Sequence, residues 1–220
     1  MEKFLAFVMV IAVGIVAGIL LLTKSTTPSS SPDSNLNLNF ASTTPVASQS
    51  QQQQPTNSPK NYLYPQDEWV TNATEAAILT AKGTIVIQLY PQDAPKTVTN
   101  FATLAKKGYY DGLTFHRVEP GFVIQGGDPN GDGSGGRSIY GDTFEDELNP
   151  NTASYQAGYL EGVVAMANRG PNTNGSQFFI MLADNPSLPK NYTIFGKVIS
   201  GMDVVQQIQV GDKMTSITIQ

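Results

Sequence analysis

Residues 84–90 set Ile85, Ile87 and Leu89 on one side of an alternating run, the period-two pattern of a half-buried strand. Ala81-Lys82-Gly83 just before it can turn a hairpin from a strand over residues 76–79. The period then changes. Val98, Phe101, Ala102 and Ala105 recur at helical spacing, with Asp93 as the expected cap, Pro95 in the first turn and Gly108 as the stop. Short runs rich in Phe, Val and Ile follow, broken by Gly and Pro. Met202, Val205 and Ile208 then mark a second helical face ending near Gly211, and residues 216–220 close as a strand. Many short strands with only two helices argue a mainly β fold, an antiparallel barrel or a sandwich.

Ahead of this the pattern is different. Residues 4–22 are apolar or glycine throughout, about the length needed to cross ~30 Å of hydrocarbon as a helix. A secretory signal has a shorter apolar region followed by a small-residue cleavage site, so a retained anchor is the expectation. Cleavage near Thr23-Lys24-Ser25 and secretion is the alternative. The next stretch is Ser, Thr, Pro, Gln and Asn, too polar to offset its ordering entropy. We therefore expect residues 1–22 as a transmembrane anchor or signal, 23–69 as a disordered linker and 70–220 as one folded domain. Lys3 and the amino terminus set against Lys24 favour a single-pass cell-membrane protein with the domain outside the cytoplasm.

Composition narrows the chemistry. Leaving out Lys3, Lys24, Lys60, Glu2 and Asp33, residues 61–220 carry ten Lys/Arg against sixteen Asp/Glu, an acidic unit without a basic stripe. Nucleic acid is not an expected partner. With no cysteine and one histidine, thiolate chemistry, disulfides and the usual zinc spacings are excluded, and no metal or cofactor is expected.

The most informative words lie between residues 115 and 180. They are Phe115-His116-Arg117, Pro120-Gly121-Phe122-Val123-Ile124-Gln125-Gly126-Gly127-Asp128, Met166-Ala167-Asn168 and Asn172-Thr173-Asn174-Gly175-Ser176-Gln177-Phe178-Phe179-Ile180. In residues, order and spacing the chain from 76 to 219 resembles the cyclophilin family of peptidyl-prolyl cis-trans isomerases, in a single-domain, bacterial-like form. The resemblance sharpens the fold to a closed eight-stranded antiparallel barrel capped by a helix at each end. It also implies a monomer that needs no cofactor and acts on proline-containing polypeptides.

An X-Pro bond turns slowly because amide resonance sets a barrier near ~20 kcal/mol, and at mid-rotation the proline nitrogen becomes pyramidal and basic. Acceleration needs no covalent step. It needs an apolar slot for the ring, hydrogen bonds to the flanking backbone and a donor aimed at that nitrogen. The resemblance gives the donor role to Arg117, with Gln177 steadying it. It assigns the proline slot to Phe122, Val123, Phe179 and Leu188, and the substrate backbone to Gln125, Ala167 and Asn168. Many relatives carry tryptophan where this chain aligns Ser187 and histidine where it aligns Tyr192, so weak binding of cyclosporin is expected without loss of isomerisation.

Other patterns carry less. Asp128-Pro129-Asn130-Gly131-Asp132-Gly133 imitates the start of a calcium loop, but the twelfth position is Ile139. The glycines at 131, 133, 135 and 136 lack the Lys-Ser/Thr of a phosphate loop. His116 with Ser176 and an aspartate would make a hydrolytic triad, yet no Gly-x-Ser-x-Gly is present. Asn72, Asn174 and Asn191 begin glycosylation sequons, and Glu145-Asp146-Glu147 reads as a solvated acidic run. Two rival functions stay open, a proline-peptide-binding module with little turnover and a structural surface protein.

Overall fold

The computed structural model of this chain describes residues 61–220. In them the alternating run becomes a two-residue hairpin of β1 (Glu75–Thr80) and β2 (Gly83–Leu89), with Ala76 opposite Ile87 and Ile78 opposite Ile85. These four side chains are fully buried, as period-two alternation demands of a sheet with one face on a core. Thr80 fixes the turn, its hydroxyl donating to the Gly83 carbonyl (2.9 Å) and accepting from the Lys82 N–H (3.1 Å).

Helix α1 (Pro95–Lys106) begins at the expected proline, but its cap comes from elsewhere. The Asp93 carboxylate accepts from the Ser154 N–H (3.0 Å), and Ala94 at the N-cap offers no side-chain bond. Glu147 does the capping. Its carboxylate accepts from the N–H groups of Lys96 (3.0 Å) and Thr97 (2.8 Å) and from the Thr97 hydroxyl (2.8 Å). A carboxylate there satisfies orphan donors and sits at the positive end of the helix dipole. Gly108 ends the helix with φ +71, its N–H donating to the Ala105 carbonyl (2.9 Å). Inside the fold, the Phe101 ring lies 5.4 Å from Tyr110 and Phe178 and 5.2 Å from Phe195.

Beyond α1 come β3 (Phe115–Glu119), β4 (Val123–Gly126), a one-turn α2 (Ala153–Ala157), β5 (Val163–Met166), β6 (Phe178–Met181), β7 (Ile194–Ser200), α3 (Met202–Gln207) and β8 (Met214–Ile219). The strands form one eight-stranded antiparallel sheet in the order β3-β4-β6-β5-β7-β2-β1-β8. Helix α1 contacts β8 and α3 contacts β2. The expected closed barrel is corrected to an open, curled one. Between the outer strands β3 and β8 there is no ladder, only a bridge of Thr114 and Lys213 and a few hydrogen bonds, such as Phe115 N–H to the Asp212 carbonyl (2.8 Å). The reason is local: Gly112 and Gly211, both at positive φ, turn the chain just before each strand, so the edges touch at those turns.

β4, β5 and β6 are buried on both faces. Ile124, Val164, Met166, Phe178 and Ile180 enter the main core, while Val123, Val163, Ala165, Phe179 and Met181 form a second apolar cluster on the opposite face. Strands covered on two sides need not alternate, so their sequences read as continuous apolar runs.

The folded chain starts earlier than residue 70. Residues 66–68 form a 3₁₀ turn, the Leu63 N–H donates to the Ile139 carbonyl (3.0 Å), and Trp69 stands edge-on to Tyr62 (5.1 Å) and Tyr140 (5.0 Å). The expected anchor over 1–22 and the linker up to residue 60 lie outside the described residues. No helix among the described residues is long and apolar enough to cross a membrane.

Candidate active site

A β-bulge sets the direction of Arg117. Phe115 pairs with Gly126 and Arg117 with Gln125, so His116 is an extra residue in β3. Residues two apart on a regular strand share a face, and the bulge breaks that rule. Phe115 is fully buried in the core, while the Arg117 side chain is 44% exposed on the outer face of the sheet.

On that face an open pocket of about 230 Å³ is lined by Arg117, Phe122, Val123, Gln125, Ala167, Asn168, Phe179, Leu188 and Tyr192. All nine were singled out in the sequence. Gln177, the tenth, lines the adjoining depression together with Gln125, Ala167 and Asn168. The Arg117 guanidinium carbon is 5.6 Å from the centroid of the Phe122 ring, a cation–π distance. Arg117 also pairs with Glu119, Nε to Oε1 at 3.6 Å, but both side chains are exposed, and such pairs contribute little.

A chain of hydrogen bonds runs inward from Arg117. Its Nη1 donates to Gln125 Oε1 (3.2 Å), Gln125 Nε2 donates to Gln177 Oε1 (2.9 Å), and Gln177 Nε2 donates to the carbonyls of Gly133 (3.0 Å) and Gly135 (2.9 Å). Gln177 therefore reaches Arg117 through Gln125 and not directly. Asn168 is engaged as well. Its Nδ2 donates to the Asn191 carbonyl (2.9 Å) and Asp146 Oδ1 (3.4 Å), and its Oδ1 accepts from the Gly170 N–H (3.3 Å). Its side chain thus ties together the loops at residues 146, 170 and 191.

Three residues that shape the site were given no such role by the sequence reading. Asp146 accepts from Asn174 Nδ2 (2.8 Å) and the Asn172 N–H (2.7 Å), and so ties down the loop carrying Asn168. Tyr159 fixes Tyr192: its hydroxyl donates to the Tyr192 carbonyl (3.0 Å) and accepts from the Tyr192 N–H (3.0 Å). Burial pushes the Tyr159 phenol up to about 12. Asp128 is the third, and its two oxygens accept from the N–H groups of Asn130 (2.9 Å), Asp132 (3.1 Å) and Gly133 (2.6 Å). Asp146 is identified only by its chain-distant partners, which local spacing does not reveal, whereas Asp128 binds within its own loop. Glu145-Asp146-Glu147 is accordingly no solvated run, since Glu147 caps α1 and Glu145 pairs with Lys96.

The remaining sequence patterns resolve. Among the described residues no three His, Asp or Glu side chains gather as metal ligands, and Asp128 spends its oxygens on its own loop. Ser176 is fully buried, donating to the Gly127 carbonyl (2.6 Å), which removes it as a nucleophile. Asn174 is buried, whereas Asn72 and Asn191 are exposed. His116 Nδ1 is buried without a partner; burial lowers the ring's pKa, Asp128 and Asp132 oppose that and Arg117 adds to it. Ser187 is exposed and outside the pocket, its hydroxyl donating to Asn185 Oδ1 (2.9 Å).

Comparison with known proteins agrees with this geometry. The cyclophilin type peptidyl-prolyl cis-trans isomerase/CLD family matches residues 76–219. A peptidyl-prolyl cis-trans isomerase-like 1 of Aspergillus niger is 54% identical over 136 residues, 62% of this chain and 82% of that protein. The peptidyl-prolyl cis-trans isomerase ppi1 of Schizosaccharomyces pombe is 57% identical over 129 residues, 59% of this chain and 81% of that one. A crystal structure of a Cryptosporidium parvum cyclophilin type isomerase superposes with a TM-score of 0.61 at 36% identity, covering 68% of this chain and 98% of the other. A second structure of that protein was determined in the presence of the dipeptide Ala-Pro. These relatives do not uphold a bacterial-like form. The single-pass cell-membrane localisation is corrected too, on the finding that the relatives named here are fungal peptidyl-prolyl isomerases. With the family matched across the whole sheet and both helices α1 and α3, this chain belongs to the cyclophilin-type peptidyl-prolyl cis-trans isomerases and catalyses cis-trans rotation about X-Pro bonds.

Proposed function

We propose that Arg117 is the donor that stabilises the twisted proline nitrogen, in a pocket whose ring slot is Phe122, Val123, Phe179 and Leu188. The observation that carries this reading is a guanidinium held by Gln125 at the rim of an open pocket walled on one side by Phe122, Val123, Phe179 and Leu188. The proline ring enters the slot, the flanking backbone is held along Gln125, Ala167 and Asn168, and Tyr192 closes one wall. As the C–N bond turns, its lone pair localises on nitrogen and accepts from Arg117. An acceleration of ~10⁵ requires about 7 kcal/mol, within the reach of a charged donor acting with shape.

The substrates on this reading are proline-containing polypeptides, as the Ala-Pro dipeptide used with the Cryptosporidium relative suggests, and one chain working as a monomer supplies every residue. Cyclosporin should bind weakly, because position 187 offers an exposed serine in place of an indole donor. The test is a protease-coupled assay on a proline tetrapeptide. Arg117→Ala should lower kcat/KM by roughly 10²- to 10³-fold with little change in KM, whereas an unchanged rate would remove Arg117 from the mechanism.

A further inference from the structure

We infer that Asp128 is a positioning residue for isomerisation, acting on Arg117 through a loop and two glutamines, an inference that rests on the assignment of Arg117 as donor. Asp128 follows the Gly126-Gly127 pair at the end of β4 and is 1% exposed. Its Oδ1 accepts from the Asn130 N–H at 2.9 Å, and its Oδ2 from the N–H groups of Asp132 (3.1 Å) and Gly133 (2.6 Å). A buried carboxylate that accepts several backbone N–H groups fixes the curvature of the loop around it.

That loop has an outward-facing product. Its carbonyls at Gly133 and Gly135 both accept from Gln177 Nε2, at 3.0 and 2.9 Å. Two acceptors on one amide settle which end of the Gln177 side chain carries oxygen, so Gln177 Oε1 must face Gln125. Gln125 then donates through Nε2 (2.9 Å), which leaves its own Oε1 for Arg117 (3.2 Å). Every amide orientation in the series follows from the one before it. The carboxylate that begins the series touches no ligand, and through the series it dictates that an acceptor, not a second donor, meets the guanidinium. The loop also needs its glycines: Gly133 has φ +88, and a side chain at Gly135 would meet Asp128 Oδ1 at 2.4 Å.

A coupled experiment on the full chain tests this. Kinetics of tetrapeptide isomerisation would be measured for the wild type, Asp128→Asn, Gln177→Leu and the double variant, with Arg117→Ala alongside. Asp128→Asn places an amide donor against backbone N–H groups; kcat should fall by roughly tenfold with KM nearly unchanged, because the donor acts on the twisted state. In the Gln177→Leu background the same change should add nothing. Gly133→Ala keeps the Asp128 carboxylate but strains, at φ +88, the residue that links its Oδ2 to the acceptor carbonyl; it should also lower kcat and serves if Asp128→Asn folds poorly. Independent, multiplying effects of Asp128→Asn and Gln177→Leu, or unchanged kcat in both Asp128→Asn and Gly133→Ala, would overturn the inference. If Arg117→Ala itself retains wild-type kcat, the donor assignment fails instead, and the two failures are thereby distinguished.

Discussion

At the scale of single residues, charge that never changes meets a ring that should not. A guanidinium as a chemical class keeps its charge across the neutral range, and the one histidine in the chain, His116, is biased neutral by its own burial. Isomerase rates should therefore be nearly flat between about pH 6 and 8, and a bell-shaped profile would bring His116 into the chemistry. Stability behaves differently. Unfolded histidine takes a proton near pH 6.5, which folded His116 resists, so the unfolded state binds more protons and stability falls as pH drops below about 6.5. In His116→Gln that part of the pH dependence should vanish from urea titrations, since no other histidine is present. Tyr159→Phe addresses the pocket wall. Removing the hydroxyl unties both backbone groups of Tyr192 while keeping the ring that lies 6.5 Å from Phe179, so KM for a proline peptide should rise by roughly fivefold at the ~1 kcal/mol of a lost hydrogen bond. An unchanged KM would mean that the contacts of Phe179 and Tyr192 alone, with ring centroids 5.5 Å apart, hold that wall.

At the scale of elements, the cap of α1 is the clearest case of a helix completed by a distant loop. Glu147→Ala should cost about 1 kcal/mol and lower Tm by about 2–4 °C, with Glu147→Gln in between because it keeps one acceptor. A Tm equal to wild type would show that the N–H groups of Lys96 and Thr97 find water just as well. The same helix shows what was legible. Its apolar face, its proline start and its glycine stop are periodic or local signals, and they match; Asp93 as cap was a local guess that the Glu147 carboxylate defeats. β1 and β2 were readable because each has one wet face, so alternation survives in their burial. β5 and β6 are buried at every position and gave only apolar runs without a face. Of the pocket residues only Phe179 lies on those two strands; Arg117, Val123 and Gln125 come from β3 and β4 and the others from loops. The pocket residues were found by their words, from Phe115-His116-Arg117 to Gln177-Phe178-Phe179, whereas the route from Gln177 to Arg117 through Gln125 was not legible, because it depends on the bulge at His116 that puts Arg117 opposite Gln125.

At the scale of the whole molecule, the sheet leaves an open seam between β3 and β8, and the chain ahead of β1 anchors elsewhere on the same fold. Trp69, the single tryptophan, fits edge-on between Tyr62 and Tyr140, and its Nε1 donates to the Tyr64 carbonyl (3.2 Å). Next to it the Val70 N–H donates to Thr103 Oγ1 on α1 (2.9 Å), and Lys107 at the far end of that helix pairs with Glu68. Residues 62–70 thus clasp the C-terminal turn of α1, the helix that seats Phe101 against Phe178 and the strands behind the pocket. Two aromatic contacts and a satisfied indole are worth about 1–3 kcal/mol beyond area burial, enough to join the clasp to the cooperative unit. Tryptophan fluorescence should then report the same unfolding midpoint in urea as far-UV circular dichroism and as loss of isomerase activity. An earlier fluorescence transition would mean that the clasp opens while the barrel stands, and in that event Trp69→Ala would leave the midpoint of the other two probes where it was.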